Sequence, residues 1–296
     1  MKNSIWLILF LYVGVSGQAF SQEIRDFNIY IFNKRYNSDV QKKVGELKGV
    51  KGMDLISGYM IDPKKNGGID LESVNKYVTK IYPNKNDGGL LCINLENKLY
   101  QNLKSNNTNT AKFKESITSF VSMLSYIKNL RPNVKIGIYG LPFRTFGASQ
   151  VVADYNKLDP ILKMCDYIFP SLYIIYPDKQ ISQKKNDDYF IQNLDAAFRY
   201  SERLKKPVLP FVWYLVHPLN KVYGYEMISK NEMKRHIDVL KRYRYKNSLK
   251  INGVVWWDTP TPFKKNQVKY TNESRSLSAK QDYNDILMDY IGDVLK

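Results

Sequence analysis

The feature that most constrains this chain is the alternation of strand-like and helix-like segments through most of its length. Asn28 to Phe32 reads as a first strand and Asp70 to Ile81 as a helix. A turn from Pro83 to Gly89 then leads into the apolar strand Leu90 to Leu95. Phe113, Ile117, Phe120, Val121, Leu124, Ile127 and Leu130 recur at helical spacing, and Pro132 ends that helix. Strands at Lys135 to Tyr139, Tyr167 to Phe169, Val208 to Trp213 and Gly253 to Trp257 alternate with predicted helices near Asp159, over Asp188 to Leu204, from Ser229 to about Tyr243, and from Ala279 to Leu295. Ser229 and Glu232 form a capping-box pair, with Met233, Ile237 and Leu240 as the buried stripe behind it. Roughly seven or eight β/α units in 296 residues fit an α/β fold of the distorted (β/α) TIM-like barrel kind with seven or eight strands. No glycine-rich phosphate loop follows any strand, so neither a nucleotide nor another cofactor is expected.

Ahead of that alternation, Lys2, the apolar run Ile5 to Val15 and the small-residue pattern Ala19-Phe20-Ser21 have the form of a secretory signal cleaved after Ser21. This divides the chain into residues 1–21 as signal peptide and 22–296 as a single barrel domain. The run is too short for a stable membrane anchor and no cysteine sits at the cleavage point for lipid attachment, so a periplasmic or secreted monomer is expected. Lys and Arg number 45 against 28 Asp and Glu, a formal charge of +17, which favours a polyanionic partner such as an acidic polysaccharide. A composition biased toward Lys, Asn, Ile and Tyr accounts for the same charge without a binding role. No nucleic-acid-binding motif accompanies it. The two cysteines, Cys92 and Cys165, have no histidine near them in sequence and read as buried free thiols. The two histidines, His217 and His236, are too few and too far apart to suggest a metal site, and His236 is expected on a helix surface.

The informative strand is Leu90 to Glu96. Side chains alternate, so Leu91, Ile93 and Leu95 face the helical layer while Cys92, Asn94 and Glu96 point into the barrel. Chemistry in such barrels sits where the strands' C-terminal ends converge. Asn94 and Glu96 emerge there with backbones roughly 6 to 7 Å apart, close enough for both to touch one bound sugar unit. Strand and spacing alone equally allow Asn94 as the start of a turn and Glu96 as a solvated residue at a helix start.

The sequence resembles the hyaluronidase-like glycoside hydrolases over most of residues 22–296. The pieces that carry the resemblance are Phe27-Asn28-Ile29-Tyr30, Asp62-Pro63 with Asn66-Gly67-Gly68-Ile69, the strand Leu90 to Glu96, Leu130-Arg131-Pro132 through Pro142, Phe169-Pro170-Ser171-Leu172-Tyr173, Val208 to Trp213, and Gly253 to Trp257, all in family order. The resemblance implies cleavage of β-linked N-acetylhexosamine polymers. Glu96 would be general acid/base, and the substrate's own 2-acetamido oxygen would be the nucleophile, an exception to the two-carboxylate scheme. It places Tyr173, Trp257, Trp213 and Asp62 around the substrate, with Trp213 equally explained by core packing. The family's Asp-x-Glu pair is here Asn94-x-Glu96, the form carried by endo-β-N-acetylglucosaminidases. Asn can hold the acetamide by hydrogen bonds but offers no negative charge. The family tyrosine after Pro142 has no clear counterpart, since Thr145 and Phe146 stand there. The alternative is a catalytically inactive barrel that binds acidic glycans.

Overall fold

The computed structural model describes residues 27–146, 156–272, 274 and 283–294; the expected signal segment 1–21 lies outside them. Seven strands run through the described residues: β1 (Asn28–Ile31), β2 (Val50–Gly52), β3 (Asp54–Ser57), β4 (Gly89–Asn94), β5 (Val134–Ile138), β6 (Phe211–Val212) and β7 (Gly253–Trp256). Every ladder between them is parallel. They form a four-stranded sheet in the order β2-β1-β7-β6 and a three-stranded sheet in the order β3-β4-β5.

This corrects the expectation of one closed sheet of up to eight strands. The predicted strand Tyr167 to Phe169 contributes isolated bridges only, Tyr139 to Phe169 and Ile168 to Val208, and of Val208 to Trp213 only Phe211–Val212 forms a ladder. Proline is the cause. Pro170, Pro207 and Pro210 have no N–H to donate, so the segments exchange single bonds such as Ile168 N–H to Pro207 O (2.9 Å) and Phe211 N–H to Pro170 O (2.8 Å). On the other side, β2 and β3 are separated by Met53 alone and divide their pairing between the two sheets.

Strand alternation decides what fills the two faces. Ile29, Ile31, Leu91, Ile93, Ile136, Ile138, Val254 and Trp256 are fully buried under the helical layer. The inner face is aromatic: Phe32 packs on Phe211, Phe211 on Tyr139 and Phe169, and Tyr139 on Trp257. Gly137 makes room for this plug, since a Cβ there would lie 2.6 Å from the Phe169 ring.

The helices follow their sequence signals closely. Asp70 caps Leu71–Ile81, accepting from the Ser73 N–H, and Thr110 caps Ala111–Leu130, which stops at Arg131 before Pro132. Gln183–Leu204 starts earlier than the predicted Asp188, and the last helix is described over Tyr283–Val294. The short helix Asp159–Met164 has Pro160 in its first turn. Ser38–Glu46, capped by Asn37, had no counterpart in the predicted pattern. Ser229 does cap Lys230–Arg242, but the capping box is not reciprocated: the Glu232 carboxylate accepts from the Asp178 N–H instead. His236 lies on the buried face of that helix, 2% exposed, contrary to the expected surface position. No helix of the described residues is long and apolar enough to cross a membrane.

Candidate active site

β4 carries Asn94 to its tip, and Glu96 follows beyond the last ladder pair, so the alternation that buries Ile93 and Leu95 turns Asn94 and Glu96 to the opposite, inward face. Both line a cleft of about 580 Å³, together with Gly58, Tyr59, Asp62 and Lys98. Glu96 reaches solvent at the mouth of this cleft, and no described residue hydrogen-bonds its carboxylate. The surrounding protein strips enough water from the carboxyl to raise its pKa above the ordinary value, with Arg144 and then Lys104 pulling the other way. Glu96 is thus a carboxyl with free oxygens and a bias toward the protonated form.

The other carboxylate on the cleft wall is already committed. Asp62 Oδ1 accepts from the Asn66 N–H (3.0 Å) and Oδ2 from the Gly67 N–H (2.9 Å), with Asn97 Nδ2 at 3.4 Å. It holds the 62–68 loop in place, where Gly67 takes φ 87°. Asp62 therefore lines the cleft, with its oxygens engaged in turning the loop.

Tyr173, Trp213 and Trp257 do not line that cleft. Tyr173 and Trp213 are 4% and 5% exposed, with ring centroids 5.7 Å apart, and neither the Tyr173 hydroxyl nor the Trp213 indole N–H has a hydrogen-bond partner of normal geometry. Trp257 is half-buried at the tip of β7, stacked on Tyr139 and covered on one face by the Arg35 guanidinium 4.5 Å from its ring centre.

Between this aromatic group and Glu96 stand residues the sequence reading passed over, above all Tyr139 and Arg144. The Tyr139 hydroxyl is 3.2 Å from Ser171 Oγ, to which Arg144 Nη1 also donates (2.6 Å). Arg144 Nη2 donates to His217 Nε2 at 3.0 Å. Burial and that guanidinium push the His217 pKa down to about 3, so the ring is a neutral acceptor. Burial likewise raises the Tyr139 pKa, with Glu96 among the charges that raise it further. Tyr139 ends a predicted strand inside the Leu130 to Pro142 motif, whereas Arg144 lies two residues past its end. Only their spatial convergence was invisible. Cys92 and Cys165 are buried free thiols, and burial raises both pKa values, Cys165 to about 12.

No protein-family model matches the sequence, and no curated protein matches it. Among solved structures, bee venom hyaluronidase superposes with a TM-score of 0.62 at 14% identity, covering 91% of this chain and 100% of that one. The same enzyme in complex with a hyaluronic acid tetramer superposes with a TM-score of 0.61 at 15% identity, covering 91% and 98%. At this identity the comparison establishes the fold: the chain has a hyaluronidase-like α/β fold of parallel strands ringed by helices.

Proposed function

We propose that the protein is an exported glycoside hydrolase that cleaves β-linked N-acetylhexosamine-containing glycans with retention. In this reading Glu96 is the general acid/base and Asn94 orients the substrate's 2-acetamido group. The observation that carries the proposal is the pairing, at one strand tip and in one open cleft, of an uncommitted carboxyl biased toward protonation with an amide beside it. A two-carboxylate retaining scheme needs a second free carboxylate about 5 Å from the acid, and on this cleft wall Asp62 is consumed by its own loop. The acetamide oxygen of the sugar then takes the nucleophile's place. As the glycosidic C–O bond breaks, Glu96 delivers its proton to the leaving oxygen. The acetamide oxygen bonds to the anomeric carbon to give an oxazolinium ion, and water activated by the Glu96 carboxylate reopens it. Asn94 supplies hydrogen bonds that hold the acetamide in line.

A second reading, glycan binding without hydrolysis, draws support from the cleft lining: Asn94 and Glu96 share it, but Tyr173 and Trp257, which a complete acetamide pocket would bring beside them, do not line it. Incubation with hyaluronan, chondroitin, chitin oligomers and N-glycopeptides, followed by mass spectrometry of products, separates the two. Release of oligosaccharides with a reducing N-acetylhexosamine end supports hydrolysis, whereas saturable binding to any of these without products supports the binder.

A further inference from the structure

The outer helical layer holds a second polar cluster remote in sequence from β4. Asp178 opens the short helix Asp178–Ile181, and Glu232 and His236 sit one turn apart on Lys230–Arg242. His236 is 2% exposed, and neither ring nitrogen has a hydrogen-bond partner. Its Nε2 lies 3.6 Å from Asp178 Oδ1 and 3.8 Å from Glu232 Oε1, beyond hydrogen-bond reach of both. One donor atom from each of the three residues falls within 4.8 Å of the others. A transition-metal ion with bonds of about 2.0 to 2.2 Å holds adjacent ligands roughly 3 to 3.6 Å apart; the two His236 distances are at or just beyond that range, and the two carboxylate oxygens, within 4.8 Å of each other, would close by up to about 1 Å around an ion.

Two further observations point the same way. Asn186, 1% exposed, donates from Nδ2 to Asp178 Oδ1 (2.8 Å) and so fixes that oxygen from behind. Asp178, Asp187 and Glu232 bring three carboxylates to the cluster, while Arg235, which pairs with Asp178 and Asp187, brings one guanidinium. With a neutral imidazole the deficit is two positive charges, which is what a divalent cation supplies. The carboxylates are also oriented in advance: Asp178 Oδ2 is fixed by Arg235, and Glu232 Oε1 by the Asp178 N–H.

We propose that Asp178 Oδ1, Glu232 Oε1 and His236 Nε2 bind a divalent first-row transition ion that ties the 178–181 segment to the helix Lys230–Arg242. The single imidazole favours zinc-type ions over calcium or magnesium, which prefer oxygen alone. The sequence reading passed over the site because it looked for two histidines, whereas the set uses one together with a carboxylate a turn earlier on the same helix. It is independent of the proposed hydrolase activity.

The test uses the untagged full chain, stripped with chelator and titrated with Zn²⁺ by calorimetry and thermal melting. One ion should bind per chain, and at a hundredfold excess over Kd the midpoint should rise by roughly 5 °C. Co²⁺ should give ligand-field absorption, and histidine-selective NMR should show Nε2 of His236 bound. Glu232→Gln, which keeps an oxygen for the Asp178 N–H, and His236→Gln should each abolish the effect, and His217→Asn should leave it intact. Absence of saturable binding, binding that survives Glu232→Gln, or an equal rise with Mg²⁺ would overturn the proposal. If His236→Gln does not fold, Glu232→Gln and the wild-type NMR decide.

Discussion

Glu96 and Asp258 occupy equivalent places on two strands: each lies two residues beyond the last ladder residue, Asn94 on β4 and Trp256 on β7. Loss of hydration raises both pKa values, that of Asp258 to about 7. Their surroundings differ completely. Asp258 is 1% exposed and accepts from the Tyr214 hydroxyl (2.6 Å), the Tyr36 hydroxyl (3.1 Å) and the Thr259 N–H (2.8 Å). Glu96 has no such bonds and faces the cleft. The cause is strand parity. On β4 the inward positions are Asn94 and Glu96; on β7 the inward residue is Trp257, and Trp256 and Asp258 turn to the helical layer, where Trp256 meets Tyr214 and Tyr290. A raised carboxyl pKa therefore does not by itself mark the acid of a site; free oxygens on the inward face do.

The largest effect tests that distinction directly. Glu96→Gln should lower hydrolysis by about 10²- to 10⁴-fold while leaving the melting midpoint within a degree or two of wild type, because it removes a proton donor and no hydrogen bond. Asp258→Ala should do the reverse, retaining the residual activity of whatever folds while losing stability, since it strips an acceptor from Tyr36 and Tyr214. Turnover in Glu96→Gln equal to wild type would break the comparison.

How much of this was legible beforehand follows from what periodicity encodes. The inward set Cys92, Asn94 and Glu96 was readable from alternation alone, because one face of β4 is apolar throughout. The capped helices were readable because Asp70, Thr110 and Ser229 sit just before apolar stripes. The prolines were visible, but not that Pro170, Pro207 and Pro210 fall where ladder donors were needed, and so the closed sheet did not form. The burial of His236 was legible in the spacing, since it completes the i, i+3, i+4, i+7 stripe of Met233, Ile237 and Leu240, and it was missed because its polar side chain outweighed its position. The Arg144 contacts to Ser171 and His217 join three separate β/α loops, which no local pattern reports.

A smaller loss should come from Asn94→Ala, which keeps the acid and removes the amide. If Asn94 only positions the acetamide, this variant should be crippled in hydrolysis of the polymer yet still process a preformed sugar oxazoline, on which Glu96→Gln is impaired. Equal loss of both reactions in Asn94→Ala, or an inverted first product, would rule out the substrate-assisted route. Asn94→Asp should keep part of the activity and move the pH–rate profile upward, because a neighbouring negative charge raises the Glu96 pKa.

The Asp258 side of the comparison is read in stability. Its folded pKa of about 7 lies above an unfolded value near 3.9, so below pH ~4 the carboxyl is neutral in both states. Between these values the unfolded chain ionises first, and stability falls with rising pH by up to about 1.4 kcal/mol per unit, at most ~4 kcal/mol in all. Asp258→Asn, which does not titrate, lacks that pH dependence. Denaturant titrations at pH 5 and pH 8 should show the stability advantage of wild type over Asp258→Asn shrinking at the higher pH. A constant or growing advantage would mean that the carboxylate is held ionised by its two tyrosines and by Arg35.

The smallest effect separates the two carboxyls by their exposure to salt. Arg144 and Lys104 are the cations that offset burial at Glu96, and Lys104 acts without a hydrogen bond to the carboxylate. In the proposed mechanism hydrolysis needs Glu96 protonated, so the alkaline limb of the rate profile should follow its pKa. Lys104→Met removes a charge that favours the carboxylate, and the limb should move up by a few tenths of a pH unit. Screening should do the same in wild type: between about 0.01 M and 0.1 M salt the Debye length falls from about 30 Å to about 10 Å, and the limb should rise, by less in Lys104→Met because one of the screened cations is already gone. Asp258, sealed from solvent and fixed by hydrogen bonds, should show no comparable salt dependence in the pH titration of stability. A limb that moves down with salt, or shifts as far in Lys104→Met as in wild type, would show that Lys104 does not set the protonation of Glu96.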